Sequence, residues 1–136
     1  MKAVGSLIRL STFQVEELQK RLSVIVDART QCELKMAVLE AEAETELINA
    51  RACAEAGWYM VGFREGLKVR RKAIQDRIDS LAAEEEGARD ALGEAFEGLK
   101  KYEQVATNVA AAARKEESRR ETAALDELGL RRVSAR

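Results

Sequence analysis

The stretch LKVRRKAIQDRIDSLAAEEEGARDALGEAFEGLKKYEQVATNV, residues 67–109, decides the fold. Leu67, Arg71, Ile74, Ile78, Leu81, Glu85, Ala88, Leu92, Ala95, Leu99, Tyr102, Ala106 and Val109 follow one another in alternating steps of four and three, and all but Arg71 and Glu85 are apolar. That spacing is a heptad seam, the stripe by which one helix packs along another. An alanine-rich continuation through Ala113 and Ala123 to Gly129 predicts a helix of about 65 residues, roughly 100 Å long.

A second seam lies upstream. Leu18, Leu22, Ile25, Arg29, Cys32, Met36, Leu39 and Ala43 keep the same alternation, and one extra residue then shifts the stripe to Leu47, Ala50 and Ala54, which is a stutter. Ser11 and Gln14 read as a capping box, with Leu10 stapled onto Val15, so a first helix is expected over about residues 11–55. Between the seams, residues 56–62 (Ala-Gly-Trp-Tyr-Met-Val-Gly) interrupt the charge pattern and read as the turn; a second helix is expected over 63–128 and a tail over 129–136. Glu40, Glu42, Glu44 and Glu46 close the first seam, while Lys68, Arg70, Arg71 and Lys72 open the second. Folding back sets these opposite blocks side by side, whereas a parallel dimer of one long helix would set each block against its own copy. The expected architecture is therefore all-α: a single-domain, long two-helix antiparallel coiled-coil hairpin. A turn near Tyr59 brings Arg29 close to Asp90 and leaves the chain beyond about Arg114 without a partner.

Composition agrees and excludes much chemistry. The 136 residues are 46% hydrophobic and 35% charged, with no proline, no histidine, two cysteines and a formal net charge of -1. Aromatic residues make up 4% and mean hydropathy is -0.32, too little bulky apolar mass for a thick globular core and too much for a disordered chain. Without histidine there is no Ser/His or Cys/His catalysis, two cysteines cannot complete a four-ligand zinc site, and no Gly-rich phosphate loop precedes a Lys-Ser/Thr pair. The sequence predicts no enzyme, no cofactor and no metal. Near-zero net charge argues against nonspecific nucleic-acid binding. On one continuous helix Cys32 and Cys53 lie about 30 Å apart, beyond disulfide reach. No segment has the apolar length of a signal peptide or membrane span, and a cytoplasmic protein with reduced thiols is expected.

Several features have two readings. Glu84-Glu85-Glu86 reads as a solvated helix face, since consecutive helical residues point in different directions. Arg71 and Glu85 are expected to lean out of the seam to solvent; the other reading is a pair of buried polar layers that fix register. Trp58, Tyr59 and Phe63 either close a small core beneath the turn or form an exposed docking tip. Residues 114–136 mix both charges and read as a solvated overhang.

Local strings on this two-helix pattern resemble the FliJ family of flagellar export proteins over nearly the whole chain. They are Leu7-Ile8-Arg9-Leu10 followed by Phe13-Gln14-Val15-Glu16-Glu17, Ala95-Phe96-Glu97 with Leu99-Lys100-Lys101 and Glu103, and Leu125-Asp126-Glu127-Leu128 with Arg131, besides the pair Phe63 and Leu67 after the turn. The resemblance implies a non-enzymatic component of the flagellar type III export apparatus, similar to the central stalk of rotary ATPases. It implies three partners: the hexameric export ATPase, the cytoplasmic linker of the membrane export gate, and export chaperones. It also implies a cytoplasmic location at the periphery of the inner-membrane export apparatus. The family's gate-contacting patch maps in part onto Phe63, Leu67 and Ile74; Arg70 stands at a patch position with a different residue type, and Trp58 and Tyr59 adjoin it. The alternative is a generic coiled-coil adaptor or a self-associating structural rod.

Overall fold

The computed structural model describes residues 2–53 and 57–135. Two helices account for nearly all of them: α1, Lys2–Ala52, and α2, Met60–Ser134. α2 exceeds its expected bounds at both ends, while α1 starts earlier than expected and stops at Ala52, short of residue 55. α1 begins at Lys2 and not near residue 11, because nothing before Ser11 breaks a helix and Gly5 is only a mild penalty. Ser11 caps nothing; it is buried at 7% exposure within the helix, and its neighbour Thr12 donates its hydroxyl hydrogen to the Ile8 carbonyl one turn back, as a mid-helix threonine does. Between the helices, Gly57 and Trp58 form a short 3₁₀ turn, and Met60, Val61 and Gly62, assigned to the turn on sequence, already belong to α2. The Ala54 seam position and the Glu55–Ala56 helix-to-turn boundary lie outside the described residues. At the far end α2 passes through Gly129 without a positive φ, and the expected tail is helical to Ser134.

The chain divides into two compact units. One comprises residues 16–93, where α1 and α2 run antiparallel. Ile25, Leu81 and Ala88 form one buried cluster, with Leu22, Ala28 and Cys32 packed against it. Nearer the turn Leu39, Ala43 and Leu67 form another, flanked by Met36, Phe63 and Ile74. All but Ala28 and Phe63 are heptad positions read from the sequence. The other unit comprises residues 1–15 and 94–136. In it Ser11 and Val15 are buried, and Ala95, Leu99, Tyr102, Ala106 and Val109 are half-buried in the same four-three alternation. From Ala110 to Ala135 every residue is exposed. Alanine propensity and exposed pairs one turn apart, Arg119–Glu116 at 3.4 Å and Arg131–Glu127 at 3.1 Å, support that stretch as a helix without seam burial.

Two charge pairs cross between the helices of the first unit. Arg71 donates to both carboxylate oxygens of Glu40, one of these bonds measuring 2.6 Å. This is one contact of the charge blocks; Lys68 and Lys72 pair instead within α2, with Glu65 and Asp76. Arg29 donates to Glu85 Oε2 at 2.5 Å, while Arg89 donates to Glu85 Oε1 at 2.8 Å. Glu85 is thus not leaning out to solvent as expected. Its side chain is 8% exposed, because two guanidiniums satisfy both oxygens and make burial tolerable. Glu84 and Glu86 on either side are exposed, as a solvated face requires. The register also differs from expectation: Arg29 meets Glu85 and not Asp90, because the connection between Ala52 and Met60 is centred before Tyr59.

The hydrogen bond from Arg89, and the positive charges of Arg29 and Arg89, hold the Glu85 carboxyl below its ordinary value against the opposing effect of burial. Arg71 lowers Glu40 in the same way. A depressed carboxyl contributes stability above the unfolded pKa, near 4.5, and loses it as pH falls through the lower folded value. Acid melts should therefore show a falling melting temperature below about pH 4, and Glu85→Gln should flatten that dependence. Leu81, at 2% exposure, is the most buried large side chain. Leu81→Ala should cost about 2–5 kcal/mol in chemical denaturation, whereas Leu125→Ala, at a position 68% exposed, should stay within about 0.5 kcal/mol of the parent.

Candidate docking site at the start of the second helix

The first turns of α2 carry Gly62, Phe63, Gly66, Leu67 and Arg70, spaced so that the two glycines share one side of the helix. Leu67 is buried against Leu39 and Ala43 of α1, and Phe63 and Ile74 pack half-buried on the same cluster. Leu67 therefore shapes the surface and does not present itself to it. A cleft of about 440 Å³ opens beside this cluster. Its α2 wall is Gly62, Phe63, Gly66, Leu67 and Arg70; its α1 wall is Leu39, Glu42, Ala43 and Glu46. A Cβ built on Gly62 or Gly66 would meet nothing within 4 Å, so the missing side chains leave open space.

A neighbouring cleft of about 400 Å³ shares Leu39 and Glu42 with the first and adds Leu34, Lys35, Val38 and Ile74. Leu34 and Val38 are 64% and 49% exposed, apolar surface left uncovered by α2. The floor is apolar, and the charges stand at its borders: Glu42 and Glu46 against Arg70, with Lys35 further along. Such a surface takes a segment that offers apolar side chains flanked by polar groups. Among the described residues no three His, Cys, Asp or Glu side chains gather to hold a metal ion. Cys32 and Cys53 are both free.

Trp58 and Tyr59 are not part of either lining. Their rings meet edge to face, with centroids 5.9 Å apart and planes at 85°. Trp58 is 85% exposed and Tyr59 40%. The Phe63 N–H donates to the Tyr59 carbonyl at 3.0 Å, which ties the pair to the first turn of α2. Of the six residues singled out on sequence, Phe63, Leu67 and Arg70 are brought together at one cleft, Ile74 at the next, and Trp58 with Tyr59 form a separate exposed pair.

Sequence reasoning missed the α1 wall: Leu34, Val38, Leu39, Glu42 and Glu46. The stutter after Ala43 made the alignment of the two seams ambiguous. The signal was present in the pair Glu40 and Arg71, which, set opposite each other, carry Glu42 and Glu46 toward Arg70 and Gly66.

No protein-family model matches the chain, and no solved structure matches it. Curated proteins do. The chain is 49% identical over 133 residues to the flagellar FliJ protein of Caulobacter vibrioides strain NA1000, covering 98% of this chain and 96% of that protein. The flagellar FliJ protein of Caulobacter vibrioides strain ATCC 19089 matches to the same extent. With half of its residues identical to a flagellar FliJ protein, almost from end to end, this chain belongs to the FliJ family.

Proposed function

We propose that the chain is a non-enzymatic component of the flagellar type III export apparatus that acts as a stalk in the hexameric export ATPase ring, contacts the export gate and escorts export chaperones. The observation that carries this reading is identity at 49% across 98% of the chain to a flagellar FliJ protein, a likeness that spans both helices and so supports a shared role. The physical properties support it. Two packed helices, each about 10–12 Å across with side chains, are narrow enough for the channel of a protein ring. The helix from Ala110 to Ser134, exposed throughout, mixes Arg114, Lys115, Arg119 and Arg120 with Glu116, Glu117 and Glu121, which suits contacts with polar ring loops. No helix among the described residues is long and apolar enough to cross a membrane, so association with the inner-membrane apparatus is peripheral in this reading.

The gate contact is assigned to the clefts at the start of α2. Phe63 and Ile74 supply the half-exposed apolar contacts, Leu67 holds them in place, and Arg70 with Glu42 and Glu46 sets the polar border. Trp58 and Tyr59 extend the surface toward the turn. Gly66→Ala separates fold from function here. It should raise stability by about 0.5–1 kcal/mol, as alanine does over glycine inside a helix, and should weaken binding of the purified gate linker by filling the cleft. A gain of stability with undiminished gate binding, measured by calorimetry, would move the contact elsewhere.

Deletion of residues 119–136 tests the stalk. Because those residues lack buried contacts, the truncated chain should melt within a few degrees of the parent while losing stimulation of ring assembly and ATP hydrolysis by the cognate export ATPase. Full stimulation by the truncated chain would count against entry through this end. A generic adaptor would show no stimulation from either chain.

A further inference from the structure

We propose that the cross-helix pair of half-buried Arg29 with the buried Glu85 carboxylate, supported by the Arg71–Glu40 pair, selects the register of the hairpin against heptad-shifted alternatives that the apolar seams accept almost equally well.

The two seams are permissive by themselves. Taking the observed Arg29–Glu85 contact as origin, one heptad toward the turn sets Met36 opposite Ile78, and one heptad away sets Leu22 opposite Leu92. If α2 slides by one heptad in one direction, Leu22 faces Leu99, Leu39 faces Leu81 and Cys32 faces Ala88, all acceptable apolar layers. Sliding the other way is equally mild for the leucines and alanines. Both slips share one defect. In the first, Arg29 faces Leu92 and Glu85 faces Met36; in the second, Arg29 faces Ile78 and Glu85 faces Leu22. Each breaks the cross-helix pair: Glu85, 8% exposed, keeps only Arg89 of its own helix, Arg29 keeps only Glu33 of its own, and each faces an apolar partner, which is costlier than a mismatch of alanine and leucine. Arg71 loses Glu40 in both; in the first it faces Leu47, and only in the second does another carboxylate, Glu33, take its place.

The connection between the helices does not impose the register alone. A slip of one heptad moves its centre by half a heptad, in one direction into the first turns of α2, where Gly62 and Gly66 make unwinding cheap. The geometry of the layer fits a discriminating role. Both Glu85 oxygens are engaged, and the buried Arg29 Nε lies 3.5 Å from Glu33 of its own helix without forming a hydrogen bond to it. That incomplete satisfaction is a cost, and a well-packed apolar layer would avoid it. What the charges supply is uniqueness. The register in turn determines whether Glu42 and Glu46 face Arg70 across the cleft.

The test measures register directly, with no partner protein present. Spin labels at Ser23→Cys and Arg77→Cys, both exposed positions in this unit, are placed in full-length chain whose native Cys32 and Cys53 are replaced by alanine. The parent should give one narrow distance. In Arg29→Leu/Glu85→Leu the helices should melt no lower than the parent, yet a second distance should appear, displaced by about 10 Å, the axial length of one heptad. Moving the carboxylate provides the stronger variant: Glu85→Leu with Leu92→Glu puts the charge opposite Arg29 only in the slipped register, and the main distance should shift by about the same 10 Å. This variant keeps a complete Arg–Glu pair, so it decides the matter even if the dileucine variant melts. An unshifted single distance in the carboxylate-transfer variant, still helical by circular dichroism, would overturn the proposal.

Discussion

A carboxylate held by two guanidiniums in the seam between two helices is the interaction on which the arrangement of residues 16–93 depends. Two helices alone enclose only a strip of interior, and the side chains that fill it here are leucine, isoleucine and alanine in near-repeating order. Repetition gives such a strip stability without a preferred alignment. Glu85 breaks the repetition, and because it is 6% exposed its partners must be the right ones. Arg71–Glu40, half-exposed and nearer the turn, agrees with the same alignment. Two charged pairs on one alignment constrain it more tightly than either could, since a slip that rescued one would still lose the other.

Much of this was legible in the sequence, and the reason is the narrowness of the interior. Only one stripe per helix can be buried, so every heptad position from Leu67 to Val109 that was read as seam is buried or half-buried. The antiparallel order was legible from the charge blocks. The register was not, because it was inferred from the aromatic-rich turn and not from the charges: placing the turn near Tyr59 displaced Arg29 from Glu85 to Asp90. The two polar seam residues were the better guide, and treating Glu85 as free to lean out removed that guide. A long side chain escapes a seam only where no opposite charge awaits it inside. The helix ends were misjudged for a different reason. Ser11 and Gly129 carry cap and stop signals that tertiary packing at the one and helix propensity at the other override.

The candidate site was half legible. The α2 residues could be marked from the order of Phe63, Leu67, Arg70 and Ile74, but the α1 wall follows only once the register is known. Leu67 shows the limit of reading a patch from spacing: it occupies a seam position, and a seam position close to the turn is buried by Leu39 and Ala43. Exposure in this neighbourhood belongs to side chains next to the seam, such as Leu34 and Val38, whose identity as surface is invisible in a periodicity that marks them simply as apolar.

The distribution of exposed apolar residues separates two kinds of surface. Beside the clefts, Leu34, Val38 and Phe63 border a shaped hollow whose walls are fixed by buried neighbours, so a partner meets a preorganised site. Along Ala110 to Ala135, Leu125, Leu128, Leu130 and Val133 stand among charges on a helix with no buried face. A contact there has no hollow to enter, and its specificity must come from charge order along the helix and from side chains that order on binding. Side-chain ordering opposes association, and exposed charge pairs such as Arg131–Glu127 add little to offset it. The first surface is suited to a lasting, shape-selected contact, and the second to one that forms and breaks readily.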